Sequence, residues 1–323
     1  MLFRSLSQQA PVLKTLANEN NLIGVCKTIL RIEARHRYAV FELGTNHFGE
    51  IAAMAETVNP DQALILNIGP SHFEYFGDED GVYKEKSDLF KRPLALRLYP
   101  GDDPRFDRCR TGGFGVGFSE SCSYRITEHK LLADSQCFTL KDREWFLPYA
   151  APHFTINAAF AIALALELKM SADLIQTGLL AQLELGLRMR EEKRGGGLLL
   201  IDCYNANPTS MQNALEYWHS KLPELPHVAI LGDMLELGTS AEMFHGMLGA
   251  ILTELKCSML LTVGVHSRLF HAPQIAEPLH FASVEQLISS GRLQGLPADS
   301  VILVKASHGI HLERLIPKLM GDN

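Results

Sequence analysis

Residues 41–90 contain side chains with the chemistry of a cation site. The apolar run YAVF leads to Glu42, and the apolar run ALIL is followed by Asn67, Ser71 and His72. Runs of this length and composition are typical of buried parallel strands. Because ligands bind at the carboxyl ends of strands in open α/β sheets, a carboxylate and an imidazole delivered there by neighbouring strands could share a cation.

Lys86 lies on the inward face of a predicted helix. The sequence GVYKEKSDLF follows acidic residues, which the helix dipole favours at an amino end. Lys86 comes four residues after Val82 and three before Leu89, so it shares their apolar face, whereas Lys84 faces outward. An inward lysine is costly unless it is paired or its pKa falls. Two interpretations stay open: the stem extends to a salt bridge at the rim, or the amine is functional.

The composition is that of an ordinary soluble globular protein. The net charge is -7, with 46% hydrophobic and 21% charged residues. A length of 323 residues is enough for two domains with full cores. No Lys/Arg-rich block occurs, so no nucleic-acid surface is predicted, and the longest apolar run, 158–166, is too short to span a bilayer. Six scattered cysteines without a CxxC pair, and an opening without signal-peptide features, indicate reduced thiols and a cytoplasmic protein.

The first half of the chain mixes helical and strand-rich segments. An asparagine-rich loop precedes Gly24, and it is either a plain turn or a loop beside a phosphate site. Residues 93–150 form short, partly alternating runs that predict several strands. A strong helix follows, with His153 and Asn157 four residues apart on one face.

Strand–helix alternation predicts a second α/β domain in the other half. The charged, glycine-rich stretch 186–197 is interpreted as a hinge. The runs LLLIDCY, HVAILGDM, SMLLTVGV and VILVKAS read as parallel strands, and a helix over 209–222 has an apolar stripe that reaches Leu222. Polar residues cluster where these strands end, which suggests a ligand between the domains. They are Asp202, Tyr204, Asn205, Asn207, Asp233, Glu236, Lys305, Ser307 and His308.

Six motifs together resemble the Mur ligase family, from about Thr15 to Leu315. They are TLANENNLIG, ELGTNHFGEI, NIGPSHFEYFG with EKSDLF, DCYNANPTSM, LGDMLELG and VKASHG. YNANP and LGDMLELG are typical of the branch that adds D-alanyl-D-alanine, and the DNPR-like motif of the branch that adds the third amino acid is absent.

The resemblance implies an α/β fold in two domains. Residues 1–185 would be an N-terminally truncated central P-loop-type ATPase domain, with a mostly parallel sheet and a small β-rich part. Residues 186–197 would be the hinge, and 198–323 a Rossmann-like C-terminal ligase domain.

The resemblance also assigns catalytic and cofactor-binding roles. Glu42 and His72 match magnesium ligands, and Lys86 matches a lysine that related ligases carry as a carbamate. Carbamylation needs a neutral amine, and it turns a buried cation into a carboxylate-like metal ligand. Contacts to ATP are implied for His153 and Asn157, although Phe154 replaces the first Asn of the family's HNxxNA pattern, and for Arg188, Tyr204 and Asn205. Contacts to substrate are implied for Asn20, Asn21, Asp202, Asn207, Asp233, Glu236, Lys305 and Ser307.

The implied reaction is an ATP- and Mg²⁺-dependent step of peptidoglycan precursor synthesis in the cytoplasm. ATP would phosphorylate the terminal carboxylate of UDP-MurNAc-tripeptide, and the amine of D-Ala-D-Ala would attack the acyl phosphate. Chemistry of this kind depends on positioning and charge neutralisation. The charge pattern and the short apolar runs predict no nucleic-acid partner and no membrane span.

One feature departs from the family. Its members begin with a UDP-sugar-binding domain, a strand and a phosphate loop, and no GxxxxGK[ST] sequence occurs here. We therefore expect low activity from the isolated chain, an exposed hydrophobic sheet edge, and a separately encoded N-terminal part among the implied partners. Two alternatives stay open. They are a non-catalytic remnant or D-Ala-D-Ala-binding module, and another ligase of the superfamily, such as a folylpolyglutamate-type enzyme.

Overall fold

The chain forms two compact units. The computed structural model describes residues 1–132, 134–181, 186–255, 257–270 and 279–321. The first unit comprises Met1–Gly69 and Tyr75–Leu183, and the second comprises Pro70–Glu74 and Glu184–Asn323. None of the helices in the described ranges has the length and apolar character needed to cross a membrane.

The described strands of the first unit form three sheets. A parallel pair comes first: β1 (Val12–Lys14) and β2 (Tyr38–Val40). A parallel sheet follows in chain order: β3 (Gln62–Leu64), β4 (Leu96–Pro100), β5 (Phe114–Gly117) and β6 (Tyr124–Arg125). An antiparallel sheet is last: β7 (Thr127–Leu131), β8 (Gln136–Leu140) and β9 (Arg143–Leu147). The expected α/β fold with a mostly parallel sheet and a small β-rich part is confirmed.

Helices cover these sheets. They are α1 (Leu2–Leu6), α2 (Leu22–Ile29), α3 (Glu50–Val58), α4 (Phe73–Phe76), α5 (Glu79–Ser87), α6 (His153–Glu167) and α7 (Ala172–Leu180). Ile51 and Met54 of α3 pack with Val25 of α2 in one apolar cluster. Helix α6 is apolar on most of its surface, so it is buried among the strands as a core helix.

Strands β1 and β2 are less buried than their apolar sequence predicts. Every residue of the two strands is partly or fully exposed, and Ala39 is an exposed one. By contrast, Leu98 of β4 is 0% exposed. Parallel sheets are normally covered on both faces. The expectation that YAVF forms a buried strand is therefore wrong. The strand is apolar enough to be buried, but the described elements do not cover both faces of the β1–β2 pair.

A buried carboxylate from α5 holds the loop after β2. Helix α3 begins at Gly49 without a side-chain cap of its own. Glu85, which is 1% exposed, accepts hydrogen bonds from the N–H groups of Gly49 (2.7 Å) and Ile51 (2.8 Å), and the Thr45 hydroxyl lies 3.1 Å from it. These donors and the helix dipole stabilise the buried charge. The loop and α5 are thereby fixed to each other.

The second unit contains one six-stranded sheet among its described residues. Its strands are β10 (Arg190–Arg194), β11 (Gly197–Asp202), β12 (His227–Gly232), β13 (Met259–Val263), β14 (Leu279–Phe281) and β15 (Val301–Lys305). They lie side by side in the order β10-β11-β15-β12-β13-β14, and only β10 is antiparallel to its neighbour. Helices α8 (Pro208–Ser220), α9 (Ala241–Glu254), α10 (Val284–Ser289) and α11 (Ile316–Met320) connect or follow the strands. The predicted parallel sheet is present, and the hinge role of 186–197 stays a prediction.

Trp218 of helix α8 packs its indole ring against the centre of this sheet. Trp218 is fully buried and donates from Nε1 to the carbonyl of Val301 at 2.9 Å. Asn207 and Ser210 form a capping box at the start of the helix. The helix ends at Ser220, so Leu222, which we expected in its apolar stripe, is 45% exposed instead.

Buried His245 supports the loop that follows β12. The N–H of Met234 donates to its Nε2 at 3.0 Å, and its Nδ1 donates to the carbonyl of Ala241 at 2.7 Å. Both hydrogen bonds fit only the neutral ring with the proton on Nδ1. Burial lowers the pKa of His245.

We expect Glu85→Ala to lower the free energy of unfolding by about 2 kcal/mol, because the buried N–H of Ile51 and the partly buried N–H of Gly49 lose their acceptor. Glu85→Gln, which keeps one carbonyl oxygen, should cost less. Exposed Glu56 on α3 gives the matched control, since Glu56→Ala should change stability by less than about 0.5 kcal/mol. Equal stability of the two alanine variants in urea denaturation would show that Glu85 does not hold the loop.

We expect the second unit to lose stability as the pH falls below 6.5, the ordinary pKa of histidine. The folded pKa of His245 is lowered, so its contribution is fully present above 6.5 and is lost as the pH falls through the folded pKa. The free energy of unfolding should fall by up to about 1.4 kcal/mol per pH unit in that window.

Denaturation at pH 7.5 and 5.5, followed by Trp218 fluorescence in a Trp145→Phe background, tests this expectation, since the chain has two tryptophans. His245→Gln should flatten the pH dependence, and His311→Gln, at an exposed histidine, should not. A His245→Gln chain with unchanged pH dependence would assign the effect to other groups.

Candidate functional site

Glu42 and Asn20 meet just beyond the ends of β2 and β1. The Asn20 amide donates from Nδ2 to Glu42 Oε1 at 3.1 Å, and the backbone N–H of Glu42 donates to Thr15 Oγ1 at 2.9 Å. Gly44 donates its N–H to the carbonyl of Asn20 at 2.8 Å, and a Cβ at this glycine would lie 2.7 Å from the Asn20 side chain. Glu42 is exposed, so an oriented carboxylate is presented to solvent.

Lys86 is half-buried on the inner side of α5, as the spacing predicted. Burial lowers its pKa, and Nζ lies 3.5 Å from the carbonyl of Asn67, which follows the ALIL run. Lys84 is exposed, with its ammonium 5.4 Å from the centre of the Phe48 ring. A weakly held amine with a lowered pKa, in the same unit as Glu42, has the properties that carbamylation requires.

His72 groups with the second unit. Its backbone is left-handed, with φ +56°, and Nδ1 donates to the carboxylate of Glu236. The N–H of Glu74 donates to the carbonyl of Glu236 at 3.1 Å, so one backbone and one side-chain hydrogen bond join residues 72–74 to Glu236. A cation site shared by Glu42, His72 and Lys86 stays a prediction. Over the described residues, no group of three or more His, Cys, Asp or Glu side chains is arranged to hold a metal ion.

The start of α6, which carries His153 and Asn157, is tied to β8. Buried Gln136 donates from Nε2 to the carbonyls of Tyr149 (2.7 Å) and Ala151 (3.0 Å), just before the helix. Phe154, where the family pattern has Asn, is 9% exposed, whereas His153 and Asn157 are half-buried. The substitution therefore places an apolar side chain in the core and keeps the two polar positions at the surface.

A buried ion pair fixes the carboxyl ends of β11 and β15. Lys305 is 1% exposed, and its Nζ lies 2.6 Å from Asp202 Oδ2 and 3.0 Å from the carbonyl of Asn205. The other oxygen of Asp202 accepts the N–H of Met189 at 3.2 Å. Because both charges are paired and hydrogen-bonded, the pair orders the loop after β11.

Asp233 and Ser307 anchor further loops at the same edge of the sheet. The Asp233 carboxylate accepts the N–H groups of residues 265–267 at 2.7–3.0 Å. Ser307 Oγ accepts the N–H of Leu235 at 2.9 Å and donates to the carbonyl of Ala206 at 3.3 Å. These predicted substrate-binding side chains are therefore used within the protein.

Arg188 and Tyr204 form a stacked pair beside this edge. The guanidinium carbon lies 4.0 Å from the centre of the tyrosine ring, and Arg188 is exposed. A guanidinium held over an aromatic face remains available for bidentate binding of an anion. Of the remaining predicted residues, Asn21 caps α2 by accepting the N–H of Gly24 at 3.0 Å, and Asn207 caps α8.

Sequence reasoning missed Glu85 and Gln136. Glu85 lies three residues after Val82 and four before Leu89, so the spacing that singled out Lys86 also placed Glu85 on the buried side. Gln136 had no comparable signal, because the carbonyls that it binds come from a turn thirteen and fifteen residues away.

Two family models match most of the chain. The Mur ligase middle domain matches residues 1–165, and the Mur ligase glutamate ligase domain matches residues 187–308. The two matches correspond closely to the two units of the fold.

Similar sequences are enzymes named UDP-N-acetylmuramoyl-tripeptide–D-alanyl-D-alanine ligase. The chain is 30% identical to that of Bacillus subtilis, with 99% of this chain and 72% of the enzyme covered. It is 33% identical to that of Escherichia coli, with 98% of this chain and 73% of the enzyme covered.

Solved structures of enzymes named MurF have a similar fold. A crystal structure of MurF from Acinetobacter baumannii superposes with a TM-score of 0.87 at 32% identity, covering 99% of this chain and 72% of that one. A MurF ligase from Thermotoga maritima in complex with ADP has the same fold, with a TM-score of 0.85 at 22% identity over 99% of this chain and 76% of that one. With the matching family models and these relatives taken together, the chain belongs to the Mur ligase family.

Proposed function

We propose that the chain carries out ATP-dependent ligation of D-alanyl-D-alanine to UDP-MurNAc-tripeptide, in the cytoplasmic synthesis of peptidoglycan precursor. The observation that supports this most strongly is the match of 98–99% of the chain to enzymes named for that reaction. The γ-phosphoryl group of ATP passes to the terminal carboxylate, giving ADP and an acyl phosphate. The amine of D-Ala-D-Ala then attacks the acyl carbon, the amide bond forms, and phosphate leaves.

The first unit contributes oxygen ligands suited to magnesium. Glu42 presents an exposed carboxylate, and the lowered pKa of Lys86 favours the neutral amine that reacts with carbon dioxide. In that reaction an N–C bond forms and a proton leaves, so the product is an oxygen donor of the kind that magnesium prefers. Glu42 and carbamylated Lys86 would hold the ion. When bound, magnesium offsets negative charge on the phosphates.

The second unit contributes anion binding and positioning. Arg188, which is exposed and stacked on Tyr204, would bind phosphate oxygens. The pair of Lys305 with Asp202 holds Asn205 in an ordered loop, where its side chain is exposed and accepts the N–H of Ala206 at 2.8 Å. Ordered loops reduce the entropy lost when reactants are brought together, and positioning is the main source of rate in phosphoryl and acyl transfer.

A D-Ala-D-Ala-binding module without turnover is the second candidate. It is favoured by one observation, the absence of a GxxxxGK[ST] loop from the 323 residues. Without that loop, the backbone N–H groups and lysine that normally bind the β- and γ-phosphates must come from elsewhere.

We expect Lys86 to carry a carbamate in the purified protein. Incubation with ¹³C-bicarbonate should give a protein-bound ¹³C carbamate signal by NMR, because burial lowers the pKa of the amine and so raises the fraction that is neutral. Lys86→Arg should abolish the signal, and Lys84→Arg, at the exposed neighbour, should keep it. A signal that survives Lys86→Arg would place the carbamate on another lysine.

We expect the isolated chain to ligate slowly and still bind the acceptor dipeptide. Product formation from UDP-MurNAc-tripeptide, ATP and D-Ala-D-Ala should be far below ordinary enzyme turnover at saturating substrates, since no phosphate loop is present. Calorimetry should show binding of D-Ala-D-Ala in the millimolar range, with L-Ala-L-Ala as the control ligand.

The two measurements separate the candidates. Ordinary turnover by the chain alone would contradict the predicted dependence on a phosphate-binding part. Absence of heat at millimolar D-Ala-D-Ala would count against a preserved acceptor site. Binding of the dipeptide with no ligation, even when the segment of a relative that these 323 residues do not match is added, would favour the binding module.

A further inference from the structure

His308 and His311 are two exposed histidines on one short turn of the second unit. They follow β15 in the sequence SHGIH, where a 3₁₀ helix spans His308–Ile310 and His311 ends it. Because a 3₁₀ helix has three residues per turn, side chains three positions apart lie on the same side. The two imidazole ring centres are accordingly 5.7 Å apart. Neither side chain has a role in the function proposed above.

This separation suits two imidazoles bound to one transition-metal ion. Bonds from zinc to histidine nitrogen are about 2.0–2.1 Å long, which puts each ring centre about 3.2 Å from the ion. At the tetrahedral angle, two such rings have their centres about 5.2 Å apart. The observed 5.7 Å is close to that value, and a small rotation of an exposed side chain removes the difference.

Glu313 orients one of the two rings. His311 donates from Nδ1 to Glu313 Oε1 at 3.1 Å, which in the neutral ring leaves a lone pair on Nε2. The other carboxylate oxygen, Oε2, is buried and has no hydrogen-bond partner among the described residues. The carboxylate of Glu313 is therefore committed to this imidazole. Histidines that bind metal ions in proteins commonly donate their second ring nitrogen to a carboxylate in this way.

Two other pairs of histidine rings come equally close in the part of the chain that the structure describes. His219 and His227 are 5.7 Å apart, but both ring nitrogens of His227 lie against backbone carbonyls, at 2.9 and 3.0 Å. His245 and His266 are 5.5 Å apart, but both ring nitrogens of His245 are hydrogen-bonded to the backbone. By contrast, the ring of His308 makes no hydrogen bond to a described residue. The exposed turn is thus the pair with nitrogens to offer.

We propose that His308 and His311 form a binding site for a divalent first-row transition-metal ion such as Ni²⁺, Cu²⁺ or Zn²⁺. Imidazole nitrogen favours these ions, whereas Mg²⁺ prefers oxygen ligands. Two protein ligands leave the remaining coordination positions to water or to an anionic group. The ring of His308 lies 6.1 Å from that of Tyr204, so the ion binds at the same edge of the sheet as the stacked pair of Arg188 and Tyr204.

Calorimetric titration of the full, untagged chain with Ni²⁺ tests the site. A Cys26→Ser background removes an exposed thiol that would bind the ion by itself. One Ni²⁺ ion should bind per chain, and an excess of Mg²⁺ should not displace it. Cu²⁺ should bind more tightly than Ni²⁺, in the order expected for nitrogen ligands.

Single substitutions locate the ligands. Glu313→Gln should weaken Ni²⁺ binding about tenfold, because the carboxylate that orients His311 is lost. His308→Gln and His311→Gln should each weaken it further than Glu313→Gln does, because a ligand itself is removed. His219→Gln, in the pair with the same ring separation, is the matched control and should leave the affinity unchanged. Circular dichroism and thermal unfolding without metal check the fold of each variant.

Electron paramagnetic resonance of the Cu²⁺ complex counts the nitrogen ligands. Hyperfine structure from two imidazole nitrogens is expected, and from one nitrogen in either histidine variant. The proposal is overturned by absence of binding at millimolar Ni²⁺, by displacement with Mg²⁺, by an affinity that neither histidine variant changes, or by a single nitrogen in the parent complex. Loss of binding in both variants, with retention in His219→Gln, upholds it whatever the ligase activity of the chain.

Discussion

Both units depend on one constraint: the backbone N–H groups in the loops that follow parallel strands need hydrogen-bond acceptors. Such groups are expensive to bury without an acceptor, and the protein supplies carboxylates from other elements. Glu85 accepts the N–H groups at the start of α3, and Asp233 accepts those of residues 265–267. Asp102 also accepts the N–H groups of Phe118 and Ser119, at 2.8 and 2.7 Å, although this loop is exposed. Each carboxylate ties a loop to a distant part of its unit.

This constraint changes the interpretation of polar residues at strand ends. Gly264, with φ +132°, leaves room for the Asp233 carboxylate, which lies 2.4 Å from where a Cβ would be. Asp233 is thus a residue that orders a loop. The pair of Lys305 with Asp202 acts likewise on the loop after β11. The side chains of Glu42 and Arg188 are exposed, and each is held by one neighbour, Asn20 and Tyr204 respectively.

Strands β2 and β3 each lie at an edge of their own sheet among the described strands. Apolar clusters that include the helices of the first unit pack on the strand layer, and polar residues follow the strands. Strands β2 and β3 are not hydrogen-bonded to each other, although Leu89 packs against the apolar clusters beside both sheets.

The sequence by itself determined the α/β class, the elements and the family, because these depend on local periodicity and on short motifs. Spacing placed Lys86 inward and Lys84 outward, and the YNANP and LGDMLELG motifs indicated the branch that the relatives confirm. Only the tertiary structure decided how the polar residues are used. Gln136 binds carbonyls of a distant turn, His72 pairs with Glu236, and β2 is exposed despite its apolar sequence. A pattern along the chain specifies which face of an element is apolar, whereas the partners of that face are specified by the elements that pack against it.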